Sequence, residues 1–313
     1  MSTTDPRLPI VSARQRRLEG AEPPHLDPGL ARIRRGYYVD AAADLTPSEH
    51  YRLRIHATLE ARTEEMVFSH GSAAELWGCP QLAVDTKLVH TTRPGKARRT
   101  AAGVQTHRGA IPDEHVVELA DGLFATSEAW TAIQIAATLR LPNSLLPLDH
   151  LVRLLNQDAL GDPAGRAVVE YLISLIPPQM KGGALAERNL RLADARAGSA
   201  AESLSRGQME LLRVPKPDLQ ARFPRGDQPG EDVVDFDWPE LDAFGECDGK
   251  LKYFDARLTG GRPPEQVLWE EKLREDRVRR HRPHCARWDW DTAMSRERLG
   301  RVLALAGVQP GSR

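Results

Sequence analysis

Apolar and polar residues alternate most regularly between positions 233 and 253. Alternation on both sides of the turn-prone Pro239 predicts a β-hairpin, in which every second side chain lies on the same face. Glu246 and Asp248 are therefore expected to project together, and Asp235 of the neighbouring strand is expected to reach the same point. The hairpin would then collect three carboxylates at one end.

Three carboxylates this close together repel one another unless a proton or a cation lies between them. Oxygen-rich sites of this kind suit Mg²⁺ or Mn²⁺. The pattern therefore predicts a divalent metal site formed by Asp235, Glu246 and Asp248. The structural alternative is that these residues are surface carboxylates beside a tight turn at Asp248 and Gly249.

Helical and strand periods alternate over the first half of the chain. Thr46 and Pro47 form a helix start, and that helix is expected to run to about residue 64. Ser69 is expected to cap a second helix, which ends at Gly78. His70 has no acidic or nucleophilic partner close in sequence, so a structural role is favoured over that of a catalytic base. Short β runs are expected at 88–92, 104–107, 116–119 and 123–126.

Helical spacing dominates positions 148–195, and Ser199 is expected to cap a further helix that carries Glu202. In the helix expected over 265–280, Trp269 and Leu273 lie one turn apart and predict an apolar side that faces the core. The remaining predicted elements are an edge strand at 219–223, a core strand at 286–290 and a closing helix at 294–306.

Length and composition limit the number of domains, the class of binding partner and the cellular compartment that can be expected. The chain has 313 residues, which is enough for two domains, and a net charge of -1, so nucleic-acid binding would have to rest on local basic patches. Three widely spaced cysteines show neither metal-ligand spacing nor a disulfide framework, which indicates a reducing cytoplasm. A run of about 18 apolar residues is lacking, so no membrane partner is expected.

A basic segment at 30–39 contains Arg32, Arg34 and Arg35, followed by Gly36 and two tyrosines. Basic and apolar residues alternate in it, as in a hairpin with one charged face. Its arginines form one of the local basic patches on which nucleic-acid binding would have to rest. The alternative is a solvated basic edge hairpin with no ligand.

The carboxylate pattern has a counterpart in a known group. Asp235, followed by Glu246-x-Asp248-Gly249 and then by lysine and an aromatic residue, resembles the restriction-endonuclease-like PD-(D/E)XK domains of the very-short-patch-repair and DUF559 type. The resemblance covers roughly residues 185–295, in the order helix, strand, strand, helix, strand. Asp248 stands where the strict motif has lysine.

That resemblance implies a role for each matching residue. A Mg²⁺ or Mn²⁺ ion held by Asp235 and Glu246 would polarise a phosphodiester and activate water, and a lysine would stabilise the developing charge. Lys252 is the first choice for that lysine and Lys250 the second. Glu202 matches an additional acid on the upstream helix. The residues implied to face DNA are Lys250, Lys272 and Arg274.

The N-terminal half resembles the AbiEi-family antitoxins of type IV toxin–antitoxin systems, through the Ser69-His70 segment and the basic segment at 30–39. In that family the basic segment is the wing of a winged helix, which implies that Arg32, Arg34 and Arg35 lie against phosphate. Only about 30 residues precede it, so the DNA-reading helix is expected to be missing. Gln134 replaces an aspartate of the family. The implied partners are DNA and a cognate toxin protein.

The combined expectation is an α+β AbiEi-like domain followed by an α/β restriction-endonuclease-like domain. The expected divisions are 1–42 for a tail with a degenerate wing, 43–147 for the AbiEi-like domain, 148–195 for connecting helices and 196–313 for the nuclease-like domain. Two functions stay open. The first hypothesis is a Mg²⁺- or Mn²⁺-dependent endodeoxyribonuclease in toxin–antitoxin biology or phage defence. The other is a non-catalytic, DNA-binding antitoxin or transcriptional repressor.

Overall fold

The computed structural model describes residues 10–62, 65–82, 85–94, 103–157, 161–226, 228–248 and 264–311. The chain is a mixed α/β protein with two compact units, Met1–Gln134 and Ile135–Arg313. The boundary between the units falls inside a helix, Glu128–Thr138. The finer division at residues 42, 147 and 195 stays a prediction.

The first unit begins with a small antiparallel sheet. Strand β1 (Val11–Ser12) is followed by helix α1 (Ala13–Leu18), β2 (Leu30–Arg34) and β3 (Tyr37–Asp40), and β3 lies between the other two strands. The segment at 30–39 is therefore a hairpin. Its apolar positions are buried, because Ile33, Tyr38 and Val39 point inward while Arg32 and Arg35 stay exposed.

The second sheet of this unit has the order β6-β5-β4-β8-β7. The strands of this sheet are β4 (Val67–Phe68), β5 (Val89–Arg93), β6 (Val104–Arg108), β7 (Val116–Glu118) and β8 (Phe124–Thr126). The helices of this part of the chain are α2 (Pro47–Glu60), α3 (His70–Leu76) and α4 (Glu128–Thr138). Helix α2 begins with a capping box between Thr46 and Glu49, which confirms the predicted start. Tyr51, Ile55 and Phe68 are buried in the core beneath it.

The second unit opens with helices α5 (Leu145–Leu155), α6 (Arg166–Ser174), α7 (Gly183–Leu192) and α8 (Ala200–Leu212). Its strands are β9 (Asp218–Pro224), β10 (Glu231–Trp238), β11 (Ala243–Asp248) and β12 (His284–Asp289). Its remaining helices are α9 (Pro264–Arg279), α10 (Trp290–Ala293) and α11 (Arg296–Leu305). The sheet order is β12-β11-β10-β9, and β12 runs parallel to β11 whereas the other neighbours are antiparallel.

Each face of this sheet packs against a helix. On one face the Trp288 ring stacks on Phe236, and its indole N–H donates to Ser205 Oγ of α8 at 2.8 Å. On the other face Val234 and Phe244 pack with Val278 of α9. The carboxylate residues of the predicted site lie between these two packed layers.

Two expectations about the C-terminal elements are wrong. Trp269 and Leu273 of α9 are 59% and 41% exposed, because the helix turns Arg274, Arg277 and Val278 toward the sheet instead. The sheet face beneath α9 carries carboxylates, so arginines rather than apolar side chains meet it. Trp290 is not part of the last strand, because Asp289 caps a short helix that begins there.

Candidate functional site

The hairpin predicted from the alternation exists as β10 and β11. Phe236 pairs with Gly245 and Trp238 with Ala243, and a short 3₁₀ turn, Pro239–Leu241, joins the strands. Glu246 and Asp248 lie at the far end of β11. Lys250 and Lys252 fall within 249–263, outside the described residues.

The regular alternation of side chains between the two faces of the sheet is interrupted in β10 at Asp235. Val234 packs toward α9, whereas Phe236 stacks on Trp288 on the α8 side. In a regular strand these two residues would share a face. Across from Asp235, Gln220 of β9 has a left-handed backbone with φ of 54°, which is rare for a residue with a side chain. Simple alternation therefore does not predict where Asp235 points.

Asp235 belongs to a small polar group with Glu202. The Gln220 amide Nε2 donates to Glu202 Oε2 at 3.0 Å and lies 3.5 Å from Asp235 Oδ1. The backbone N–H of Cys247 donates to Asp235 Oδ2 at 2.9 Å, and that of Gly198 donates to Glu202 Oε2 at 2.8 Å. The structure thus brings together two of the expected acids through an amide side chain.

Glu246 lies in a different group, which we call the Glu246 cluster: Glu246, Glu271, Arg274 and Arg287. Glu246 is only 5% exposed. Arg274 Nη2 donates to its two oxygens at 2.5 and 2.7 Å, and Arg287 Nη2 donates to Oε2 at 2.5 Å. Both arginines also donate to Glu271 Oε1, at 2.6 and 2.9 Å. Two guanidinium groups therefore lie between two carboxylates.

Further carboxylates lie at the margin of the cluster. Asp248 Oδ2 is 3.4 Å from Arg287 Nε, and Glu275 Oε2 is 3.3 Å from Arg287 Nη2. Asp248 is therefore joined to Glu246 through Arg287, whereas Asp235 is joined to Glu202 through Gln220. These contacts place Asp235 with Glu202 in one group and Glu246 with Asp248 in another.

The charges in the cluster are stabilised by one another. Burial alone would lower the pKa of both arginines. Glu271 and Glu246 outweigh it at Arg274, and Glu246 and Asp248 outweigh it at Arg287, so that the pKa of each lies above the ordinary arginine value. For Glu271, burial would raise the pKa, but the hydrogen bond and charge of Arg274 dominate and lower it. All three side chains are thus ionised near neutral pH.

These donors, as placed, do not fit the expected divalent ion. Both oxygens of Glu246 accept hydrogen bonds from guanidinium groups, and one oxygen of Asp235 accepts from a backbone amide. Over the described ranges, no group of three or more histidine, cysteine, aspartate or glutamate side chains is placed to hold a metal. A cation at Glu246 would have to compete with these arginine contacts for the same two oxygens.

The same pairing of arginine with carboxylate recurs along this face of the sheet. Arg277 donates to both oxygens of the buried Asp232, at 2.6 and 3.0 Å. Arg282, just after α9, donates to Asp237 at 2.7 and 3.2 Å. Helix α9 and the turn that follows it are therefore attached to the sheet largely by ion pairs.

Sequence reasoning missed Arg287 and Gln220 as partners of the acids. Arg287 lies directly beside Glu246 in the parallel β11–β12 register. Such a register joins residues 41 positions apart, and local periodicity carries no sign of it. The backbone irregularity at Gln220 likewise depends on its neighbouring strand.

The residues expected to bind nucleic acid have different environments. Arg32 and Arg35 are exposed on the 30–39 hairpin. Arg34 instead packs over the Tyr37 ring and donates to the carbonyl of Ala57 at 3.3 Å, and its burial lowers its pKa. Lys272 is exposed with its Nζ 5.9 Å from the Trp269 ring. Arg274 is held by the Glu246 cluster, and Lys250 lies outside the described residues.

Helix α1 adds basic charge at the tip of the hairpin. The Ala13 backbone N–H donates to the carbonyl of Gly36 at 2.9 Å, which attaches the helix start to the hairpin turn. Arg14 follows at once and is exposed. Burial raises the pKa of Tyr37, and the nearby charge of Arg14 is among those that oppose the shift. We call Arg14, Arg32 and Arg35 the wing-tip surface.

Three histidines of the first unit meet at a partly exposed point. The rings of His70 and His107 stack at 3.7 Å, and His90 Nδ1 lies 2.8 Å from His107 Nε2. His70 has a left-handed φ of 51°, and its N–H donates to Gln134 Oε1. Burial lowers the pKa of all three, that of His90 to about 4. Ser69 begins helix α3 without capping it through its side chain.

None of the helices in the described residues is long and apolar enough to cross a membrane. No protein-family model matches the chain. Two proteins of Mycobacterium tuberculosis, the uncharacterized proteins Rv2248 of strain H37Rv and MT2308 of strain CDC 1551, are each 30% identical to it over 222 residues. The match covers 68% of this chain and 71% of each relative. The chain belongs to the same family as these mycobacterial proteins.

Proposed function

We propose that this chain is a non-catalytic, DNA-binding protein of the antitoxin or transcriptional-repressor type, acting in a type IV toxin–antitoxin or phage-defence setting. The wing-tip surface carries this proposal. Arg14, Arg32 and Arg35 are exposed around one hairpin turn, and apolar side chains on the inner face of the hairpin hold it in place. Such a rigid basic tip suits contacts to phosphate.

The geometry of the C-terminal unit favours the non-catalytic form. Its elements run helix, strand, strand, strand, helix, strand from α8 to β12, which accommodates the expected restriction-endonuclease-like order. Glu246, one of the two acids that match the motif, is neutralised by two arginines. Folds of this kind keep their shape without their chemistry, because function depends on the site rather than on the scaffold.

A gel-shift assay with the DNA upstream of the chain's own gene tests the proposal. The triple variant Arg14→Ala, Arg32→Ala, Arg35→Ala is expected to bind more weakly, because up to three phosphate contacts are lost. The slope of log affinity against log salt should fall by about one for each contact.

The matched control is Arg301→Ala combined with Arg191→Ala, which removes exposed arginines of α11 and α7 in the other unit. It should leave binding close to that of the wild type. Equal affinity and salt dependence in the triple variant and the wild type would reject the wing-tip surface as the DNA contact.

A metal-dependent endodeoxyribonuclease is the second candidate. It is favoured by the proximity of Asp235 to Glu202 through Gln220, because both residues match acids of the nuclease-like motif. It requires Glu246 to be released from its arginines. Plasmid cleavage with Mg²⁺ or Mn²⁺ tests it, with Asp235→Ala and Glu246→Ala as comparisons. Cleavage that is the same in both variants as in the wild type would end the catalytic claim.

A cognate toxin protein and DNA remain the proposed partners. The mycobacterial relatives are described only as uncharacterized, so they add family membership to this proposal and no activity.

A further inference from the structure

The guanidinium groups of Arg274 and Arg287 lie beside Glu246, where the sequence predicted a metal cation. Glu246 lies on β11, Glu271 and Arg274 on α9, and Arg287 on β12. The charge that offsets Glu246 comes from two different elements of the fold. We infer that Arg274 and Arg287 take the place of a divalent ion, so that the wild-type protein does not bind Mg²⁺ or Mn²⁺ through Glu246.

Burial makes this neutralisation necessary. A carboxylate that is 5% exposed is strongly destabilising unless a partner compensates its charge. Three guanidinium contacts of 2.5 to 2.7 Å supply that compensation. These are charge-assisted hydrogen bonds of the strong kind, and they engage both oxygens of Glu246.

The two arginines differ in how firmly they are attached. Arg274 also donates to the backbone carbonyl of Val233 at 3.1 Å and, through Nε, to Glu271 Oε2 at 2.9 Å. Arg287 instead forms ion pairs with four carboxylates, those of Glu246, Glu271, Glu275 and Asp248. Arg287 is therefore the residue whose position most closely corresponds to that of an ion among oxygen ligands.

The charge balance predicts what happens when Arg287 is removed. Glu246, Glu271, Glu275 and Asp248 carry four negative charges, and Arg274 and Arg287 carry two positive ones. Without Arg287, Glu246 would keep only its contacts to Arg274. The carboxylates of Glu271, Glu275 and Asp248 would then face the vacated space beside Glu246 with their repulsion increased. Carboxylate oxygens in this number are the donors that Mn²⁺ prefers, so the loss of the arginine should create a cation site.

The test uses the full chain and measures Mn²⁺ binding by electron paramagnetic resonance, together with the melting temperature with and without Mn²⁺. The wild type should show no binding that depends on Glu246 and no shift in melting temperature. Arg287→Ala should melt at a lower temperature, bind Mn²⁺ and regain part of its stability when Mn²⁺ is added. Adding Glu246→Gln to Arg287→Ala should abolish that recovery.

Arg282→Ala is the matched control, because it removes an arginine from an aspartate pair on the same sheet face but outside the cluster. It should be destabilised without recovery in Mn²⁺. If Arg287→Ala does not fold, Arg287→Gln, which keeps most of the side-chain volume, is measured in the same way.

Two results would overturn the inference. One is Mn²⁺ binding by the wild type that Glu246→Gln removes, because the arginines would then not exclude the ion. The other is a folded Arg287 variant that Mn²⁺ neither binds nor stabilises, because the arginine would then not stand in the ion's place. Both measurements are independent of the wing-tip surface, so their failure is distinguishable from failure of the proposed DNA binding.

Discussion

At the scale of single residues, the structural role of a polar side chain depends on its hydrogen-bond partner. Gln134 is an example. In the sequence it was notable only because it stands where the AbiEi-family antitoxins have an aspartate. In the structure its amide oxygen accepts the N–H of His70, a residue with an unfavourable left-handed backbone. The histidine is thus attached at its backbone, while its ring stacks on His107.

The histidines predict acid sensitivity of the first unit. Their pKa values are lower in the folded chain than the unfolded value of about 6.5, so the unfolded chain binds protons first as pH falls. The stability contribution is intact above about pH 6.5 and is lost as pH falls toward about 4, the folded pKa of His90. His90 alone should cost on the order of 2–3 kcal/mol across that window.

Urea unfolding from pH 7.5 to 4 measures this loss. His90→Asn should reduce the dependence of stability on pH within the window, whatever its effect at pH 7.5. His284→Asn, a change at an exposed histidine of β12 in the other unit, is measured alongside as the comparison. A pH profile of His90→Asn identical to that of the wild type would contradict the assignment.

At the scale of elements, the sheet of the second unit depends on close packing at β11. A Cβ added at Gly245 would meet Trp288 Cη2 at 2.8 Å and Trp238 Cζ3 at 3.0 Å. Both tryptophans are almost fully buried, so neither can move aside easily. The small residue lets the two aromatic side chains lie directly on the strand that carries Glu246.

Gly245→Ala is therefore expected to destabilise the second unit by about 1–3 kcal/mol through overpacking. Chemical denaturation followed by tryptophan fluorescence measures the change. Gly311→Ala is the control, since nothing lies within 4 Å of a Cβ built there. A Gly245→Ala protein as stable as the wild type would show that β11 can shift away from the tryptophans.

At the scale of the whole molecule, long-range ion pairs assemble the second unit. Asp149 of α5 is 1% exposed, accepts from Arg206 of α8, and accepts the backbone N–H of Asp194 just after α7. Burial raises the pKa of Asp149, although Arg206 opposes that shift. This pair joins the helices expected as connectors to the helix that precedes the sheet.

Arg206→Met is expected to lower the stability of the second unit by roughly 3–5 kcal/mol, because it leaves a buried carboxylate without its partner. Calorimetry of the full chain measures the loss. Arg301→Met breaks an exposed pair with Glu297 and should change stability little. Recovery of stability in the double variant Arg206→Met, Asp149→Leu would support the assignment, and no loss in Arg206→Met would refute it.

Local patterns in the sequence determined the type and approximate limits of many elements. Alternation predicted the β10–β11 hairpin, and the capping residues Thr46 and Ser199 predicted the starts of α2 and α8. These signals lie within a few residues of one another, so they do not depend on the rest of the fold. They also identified the acids at 235, 246 and 248 as residues whose charge would need an opposite charge nearby.

Only the tertiary structure decided which groups the side chains of these acids contact. Strand register places Arg287 beside Glu246, the orientation of α9 turns Arg274 toward the sheet, and an irregularity at Gln220 directs Asp235 to Glu202. Each of these contacts joins residues at least 15 positions apart in the chain. Periodicity indicates which face of a strand a side chain occupies, but not which distant element covers that face. The sequence alone therefore cannot distinguish an arginine from a metal ion as the positive charge that neutralises Glu246.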